Sequence, residues 1–547
     1  MWLLMCSQRG PMACEDAFIY VQSQFLILSH RFRWVFCQLE TLRHCLPPSV
    51  RRILAELPET LDATYERILQ EIPKSNQVHA HRLLQCLTVA VRPLRVEELA
   101  EILTVDFDTS EGIPKLNETL RWEDQEQAVL SACSSLIAVI KDEDKDSSVV
   151  QFSHFSVKEF LTSDRLATSK MDASRYHHIP LEPAHTIMAQ ACLSVLLRLD
   201  PHIDRATLKD FPLAPYAAEH FGNHAEFERV LSHIWDGVGD LLDANKSHFA
   251  VWFWICRGRW SNPRRRPPDV IPLYYIAERG YRGLVDYLIS TRPEDVNVRG
   301  YYGTPLHAAL SGAHADVAQL LLEYCVDVDV RDCEDQTPLH LAAYHGFLDV
   351  TRTLVERDVD INVRDSSGNT PLHRAMEDWF RVPESTQDGR LDVMKVLLEH
   401  GADPDTTNSH STLLHDASYY GSVKGAQLML DHGANIHAQN EEGRTPLHLT
   451  LDKLYDAPDI LDMFLDTMRC LLEHGADVDA LDDDHATPLH LASLYGSVKG
   501  AQLLLEHGAN VHLGDKKGRT PFHVASERGH EKITQLLLEH LQSQQNV

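Results

Sequence analysis

Along residues 271–547 the apolar positions fall on two successive helical spacings, parted by short polar stretches. In the stretch 365–401, Leu372 and Ala375 share one face of a short helix. Val393, Val396 and Leu397 share one face of a second. A polar turn, Asp365-Ser366-Ser367-Gly368-Asn369, precedes the pair, with a glycine suited to positive φ. Thr370 offers an N-cap oxygen, and Pro371 takes the first helical position, where an N–H would lack a partner anyway. Gly401 fits a left-handed C-cap. Such a unit cannot bury its apolar stripe alone and must stack on copies of itself.

The copies are present. Thr-Pro-Leu-His stands at Thr304, Thr337, Thr370, Thr445 and Thr487, with TLLH at Thr412 and TPFH at Thr520, at intervals of 33 or 42 residues. Ile271-Pro272-Leu273-Tyr274 is a degenerate copy 33 residues upstream of the first. From the threonine to the "LL" pair an ordinary unit takes 17 residues (Thr337 to Leu354), but two take 27 and 26 (Thr370 to Leu397, Thr445 to Leu471). The two insertions therefore lie between the helices, near 378–389 and 452–463. Stretches 412–444 and 487–519 agree at 22 of 33 positions, as a duplicated long-plus-short pair would. A fixed period of this length is the signature of a helical solenoid.

These residues resemble the ankyrin repeat, in eight units over 271–547. The resemblance implies protein binding through the hairpin tips and the inner end of each first helix. Carried onto this chain, the tips are Glu334, Gln336, Ser366, Asn369, Glu441, Arg444, Asp483, His485, Lys516 and Arg519. The helix ends are Tyr344, His345, Leu494, Tyr495, Glu527 and Arg528. The insertions add Trp379, Phe380, Phe464 and Met468, which either form an apolar contact patch on one edge or lie on lengthened helices that pack on their own repeat. Seven histidines close the tetrapeptide, and the resemblance makes them structural, bonding neighbouring repeats.

Before residue 271 the period disappears. Helices are expected at 49–57, 60–72, 79–91, 96–105, 123–135 and 156–164. The β-rich runs 136–141 and 149–154 flank the acidic turn 142–148 and read as a hairpin. Helices plus a hairpin suggest a winged-helix-like domain over 45–165. A helical domain follows over 166–261, then the linker 262–270, rich in proline and arginine. The fold class is thus mainly α: an ankyrin α-solenoid preceded by a winged-helix-like and a helical domain.

Charge narrows the partners. Of the net −29, residues 271–547 carry 22 basic against 44 acidic side chains, or −22. That field repels phosphate backbones and favours a basic protein partner over nucleic acid. The wing, with Asp142, Glu143, Asp144 and Asp146, is equally unsuited to DNA. Eleven scattered cysteines without a C-x-x-C pair, and no apolar run long enough to span a bilayer, suggest a cytoplasmic protein away from membranes. No H-E-x-x-H, P-loop or nucleophile elbow occurs, so neither enzyme chemistry, a metal nor a cofactor is expected.

The wording from Phe32 ("FRWVFCQLETLRHCLPPSVRRILAELPETLDATYERIL"), from Leu94 ("LRVEELAEILTVDFD") and from Val149 ("VVQFSHFSVKEFLTS") resembles fungal NACHT–ankyrin proteins. These are signal-transducing NTPases related to NOD-like receptors. The resemblance makes residues 1–44 the end of the NACHT region, with an atypical start. It matches His154 to a histidine that senses the nucleotide's phosphate. With no P-loop in this sequence, the expectation is an adaptor or receptor-type recognition protein carrying a transducer remnant. The alternative is a nucleotide-regulated switch whose P-loop domain lies outside this sequence.

Overall fold

A computed structural model describes residues 60–545 apart from 108–113, 118–123, 134, 143–146, 169–174, 200–202, 204–205, 244–245, 257–270, 301, 378, 382, 409–410 and 453–460. The expected NACHT end at 1–44, the helix at 49–57 and the linker at 262–270 lie outside the described residues. The chain divides into two compact units, Met1–Pro268 and Asp269–Val547.

In the first unit, helices α1 (Leu61–Glu71), α2 (Gln77–Val89), α3 (Val96–Leu103) and α4 (Gln125–Cys133) precede a hairpin of β4 (Ile137–Asp142) and β5 (Ser147–Phe152). Helices α5 (Phe155–Leu161) and α6 (Asp164–Ala167) follow it. The hairpin matches the expectation. It gains a third strand, β1 (Leu94–Arg95), that two residues of pattern could not announce; β5 lies between β1 and β4, with Val150 opposite both Leu94 and Val139. A second, two-stranded ribbon joins β2 (Val105–Asp106) to β3 (Lys115–Leu116). Glu98 locks the start of α3. Its fully buried carboxylate receives Arg92 at 2.8 and 2.9 Å, the Arg95 side chain at 2.9 Å and the Arg95 N–H at 2.8 Å.

Four helices complete this unit: α7 (Leu181–Leu196), α8 (Ala214–Ala225), α9 (Trp235–Leu242) and α10 (His248–Cys256). Helix α8 stops at Ala225; Glu228 then turns to φ 38° and a 3-10 turn, Val230–His233, follows. A polar chain threads α7 and α8. The Val91 N–H donates to Tyr216 Oη (3.2 Å), which bonds His224 Nε2 (2.9 Å), and His224 Nδ1 faces His185 Nδ1 at 3.0 Å.

The second unit is eight helix pairs, numbered here as repeats 1 to 8. The first four are Pro272–Glu278 with Arg282–Thr291, Pro305–Ser311 with Ala315–Leu322, Pro338–His345 with Leu348–Val355, and Pro371–Met376 with Glu384–Glu399. The others are Leu413–Tyr419 with Val423–Asp431, Pro446–Asp452 with Leu461–Glu473, Pro488–Tyr495 with Val498–Glu506, and Pro521–Glu527 with Glu531–Gln545.

The tetrapeptide histidines work as the stacking joints. The Thr337 N–H donates to His340 Nδ1 at 3.1 Å, so that nitrogen must carry a lone pair and the ring proton sits on Nε2. His340 Nε2 then donates to the Asn369 carbonyl of the next repeat at 3.1 Å. His307, His415, His448 and His490 repeat this link to the carbonyls of Gln336, Arg444, Ala486 and Arg519. Burial pushes the His340 and His448 rings down to about 4, as expected for groups that must stay neutral to serve both bonds.

The insertions do not form an exposed patch. They lengthen the second helix, to 16 residues in repeat 4 and 13 in repeat 6 against eight in repeat 3. Trp379, in a 3-10 turn ahead of the lengthened helix, and Phe464 and Met468 are buried; the Phe380 side chain lies outside the described residues. Phe464 seats against Gly421, where an added Cβ would meet its ring at 3.3 Å. Arg390 is buried with its guanidinium 4.7 Å over the Tyr344 ring and donates to the Glu377 carbonyl. The close approach depends on Gly346, whose φ is 74° and whose Cβ position lies 2.9 Å from the Arg390 nitrogen.

Candidate protein-interaction surface

In each repeat the hairpin tip leads directly into the first helix, and this junction places side chains in fixed register. Seven and eight residues after the threonine stand Tyr344 and His345, Tyr419 and Tyr420, and Leu494 and Tyr495, all half-buried. They form three apolar bands in repeats 3, 5 and 7. Tyr419 and Tyr420 meet edge to face at 5.3 Å, and His345 stacks on Phe347 at 5.3 Å. Burial, then the neighbouring Arg390, holds His345 at about 4, so at neutral pH it presents an uncharged ring.

In repeats 4, 6 and 8 the same register holds carboxylates, each tied by an arginine to a turn aspartate. Arg374 joins Asp365 (2.7 Å) to Glu377 (2.6 Å). Arg444 joins Asp452 (3.2 Å) to Asp482 (3.8 Å) and also reaches Glu442 (3.0 Å). Arg519 joins Asp515 (2.7 Å) to Glu527 (2.9 Å). The turn aspartates are fixed in their own hairpins: Asp365 Oδ1 accepts the N–H groups of Ser367 and Asn369 at 2.9 Å. The Arg374 and Arg519 clusters therefore each carry one net negative charge, and the Arg444 cluster with its three carboxylates carries two, in preset orientations.

Most sequence-expected contact residues are accessible. Glu334, Ser366, Glu441, Asp483, His485, Lys516, Glu527 and Arg528 are exposed, and Asn369, Arg444 and Arg519 half-buried. Gln336 is not available. It is buried, its amide bonds Glu334 at 3.1 Å, and its carbonyl serves His307. The tip is fixed through backbone, so a polar side chain at that position need not face outward. The sequence reading passed over Glu377, Tyr419, Tyr420 and Asp452, although they hold the register of Tyr344 and Tyr495; counting from each threonine would have found them.

His154 caps α5. Its Nδ1 lies 2.6 Å from Ser156 Oγ and receives the Ser156 N–H at 3.2 Å, while Tyr65 Oη closes on the same hydroxyl at 2.9 Å. These contacts give the ring a structural place within its own domain. Among the described residues no group of three or more His, Cys, Asp or Glu is arranged to hold a metal ion. None of their helices is long and apolar enough to cross a membrane.

Overlapping matches to the family model "Ankyrin repeats (3 copies)" together run from residue 244 to 547, more than half of the chain. The chain belongs to the ankyrin-repeat family. Outside the ankyrin repeats, residues 65–171 match "GPI inositol-deacylase, winged helix domain". The repeats and the winged helix stand among similar proteins of different kinds. The "Azaphilone pigments biosynthesis cluster protein L" of Monascus ruber is 31% identical over 296 residues, covering 50% of this chain and 61% of that protein. "Ankyrin repeat and SOCS box protein 11" of Danio rerio is 44% identical over 62 residues, covering 11% of this chain and 21% of that one. The chain thus spans under two thirds of either relative. Crystal structures of the Bcl-3 ankyrin domain (25% identity, TM-score 0.36) and the human ASB11 ankyrin domain (24%, 0.37) are similar over 44% and 43% of this chain, and over 99% and 97% of their own.

Proposed function

We propose that this chain is a non-catalytic recognition protein whose ankyrin ledge binds a basic protein segment. Ankyrin repeats generally bind protein partners. The observation that carries the finer reading is the alternation of half-buried rings with net-negative arginine–carboxylate clusters in one register. Rings offer contact area at low entropic cost, and the oriented carboxylates select for lysine or arginine between them. Neighbouring helices pack roughly 8–10 Å apart, so two rings of successive bands lie about 16–20 Å apart. An extended segment covers that span in about five or six residues. The N-terminal unit, by its resemblance to NACHT–ankyrin proteins, serves as a transducer remnant in a cytoplasmic adaptor or receptor.

Affinity capture with the full chain tests this, in parallel with Tyr344→Ala/Tyr419→Ala on the ledge and Glu399→Ala on a second helix. Partners should be lost from the double variant, retained by Glu399→Ala, and released by moderate salt. Equal loss from both variants, or capture indifferent to salt, would sink the reading.

A further inference from the structure

The histidine links make five of the six joints after repeat 1 uniform, and the sixth is different. His373 in repeat 4 receives the Thr370 N–H at 3.3 Å like its counterparts, but its Nε2 makes no hydrogen bond to the next repeat. The Thr406 carbonyl alone bears on it from that side, and weakly. The cause is legible in the chain. From the helix-ending glycine to the threonine the interval is 12 residues at Gly433–Thr445, Gly475–Thr487 and Gly508–Thr520, and 11 at Gly401–Thr412. The hairpin entering repeat 5 is one residue short, and the carbonyl of Ser411 does not reach the ring. Like its counterparts that carbonyl accepts an N–H of its own turn, from Asn408 at 3.0 Å, but it lacks their second bond from a histidine.

A second observation falls on the same joint. The residue following the histidine is apolar at Ala308, Leu341, Leu449, Leu491 and Val524, but charged at Arg374 and Asp416, on either side of the joint. Arg374 is engaged by Asp365 and Glu377, and Asp416 by Ser411 Oγ at 2.9 Å. Neither offers the other repeat apolar surface. Burial, followed by the nearby Glu377 charge, lifts the Asp416 carboxyl to about 6. First helices of neighbouring repeats also pack most sparsely here. Several bonds still crossing the joint are exposed: Asn362 with Asp403 at 3.0 Å, Lys424 with Asp388 at 2.9 Å, and Arg364 with the Thr407 carbonyl. Such bonds compete with water and contribute little.

We propose that the solenoid yields first between repeats 4 and 5, so that residues 271–400 and 412–547 act as two four-repeat blocks that re-angle about the 401–411 hairpin. Stability in a solenoid is a sum of repeat and joint terms, so a single weak joint divides it without unfolding either block. A partner lying along the whole ledge would then select one angle between the blocks.

Hydrogen–deuterium exchange of the full chain, in water and in urea below the main transition, tests the seam. Amides of 371–376 and 413–419 should exchange together, about fivefold faster than those of 338–345 and 488–495, as expected for one buried hydrogen bond lost. Inserting one glycine between His410 and Ser411, combined with Asp416→Leu, should raise seam protection to that of its neighbours. His373→Ala against His415→Ala gives an independent readout, because the first removes a cap alone and the second a cap and a joint. The His373→Ala shift in unfolding equilibrium should be about fivefold the smaller. Uniform protection along the parent solenoid, or equal shifts from the two alanines, would overturn the proposal.

Discussion

Replacing His448 by glutamine should make the protein less sensitive to acid, by an amount the ring's position sets. His448 is fully buried; its Nδ1 accepts the Thr445 N–H at 3.1 Å and its Nε2 donates to Ala486 at 3.2 Å. Burial lowers it from 6.5 to about 4. Because the folded value lies below the unfolded one, the neutral ring's contribution is complete above 6.5 and is lost as pH falls from there toward about 4. The full loss corresponds to roughly 3 kcal/mol, and about 2 kcal/mol of it falls between pH 7 and pH 5. Urea unfolding of parent and His448→Gln at these two pH values isolates the ring, since every other titrating group is common to both. The parent should lose about 2 kcal/mol more than the variant. Equal losses would mean that the ring takes up its proton in place, and that the fixed tautomer inferred from the Thr445 N–H is wrong.

Other expectations are direct. Arg390→Ala should lower stability by about 2 kcal/mol, from the lost cation–π contact with Tyr344 and the Glu377 carbonyl left without its donor, and Arg390→Met by less, measured by thermal unfolding. Gly346→Ala should destabilise more than Gly401→Ala. Both force a left-handed alanine at about 1 kcal/mol, but only the first drives a Cβ into the Arg390 backbone, which the same melts would rank. Asp452→Lys should weaken capture of a basic partner and flatten its salt dependence, whereas Lys395→Glu on a second helix should leave both unchanged.

The stacked architecture was readable because each unit repeats its turn, cap and apolar spacing, and because a local pattern suffices to define a helix pair. The same holds for the β4–β5 hairpin, where two β-rich runs of six residues flank an acidic turn. What escaped the pattern depends on contacts between distant residues. Strand β1 has two residues and exists because β5 pairs with it. Trp379, Phe464 and Met468 fit either a surface patch or the packing of lengthened helices in a one-dimensional pattern, and it is their burial that decides for packing. Gln336 looks like a tip side chain, yet its backbone is what the preceding histidine uses. The candidate ledge was half legible: the register identified Tyr344 and Tyr495, while the arginine clamps that orient Glu377 and Asp452 join residues up to 38 positions apart (Arg444 to Asp482).

The histidine joints also bear on how such a surface can change. At the five histidine-linked joints the acceptor is a main-chain carbonyl, contributed by glutamine, asparagine, arginine, alanine and arginine in turn. The scaffold therefore reads that position without regard to its side chain. Point substitutions there can rewrite what the ledge recognises while the stacking bond persists, so binding specificity can drift with little penalty in folding. A change in hairpin length is the mutation the joint does not tolerate, and the 401–411 turn records one.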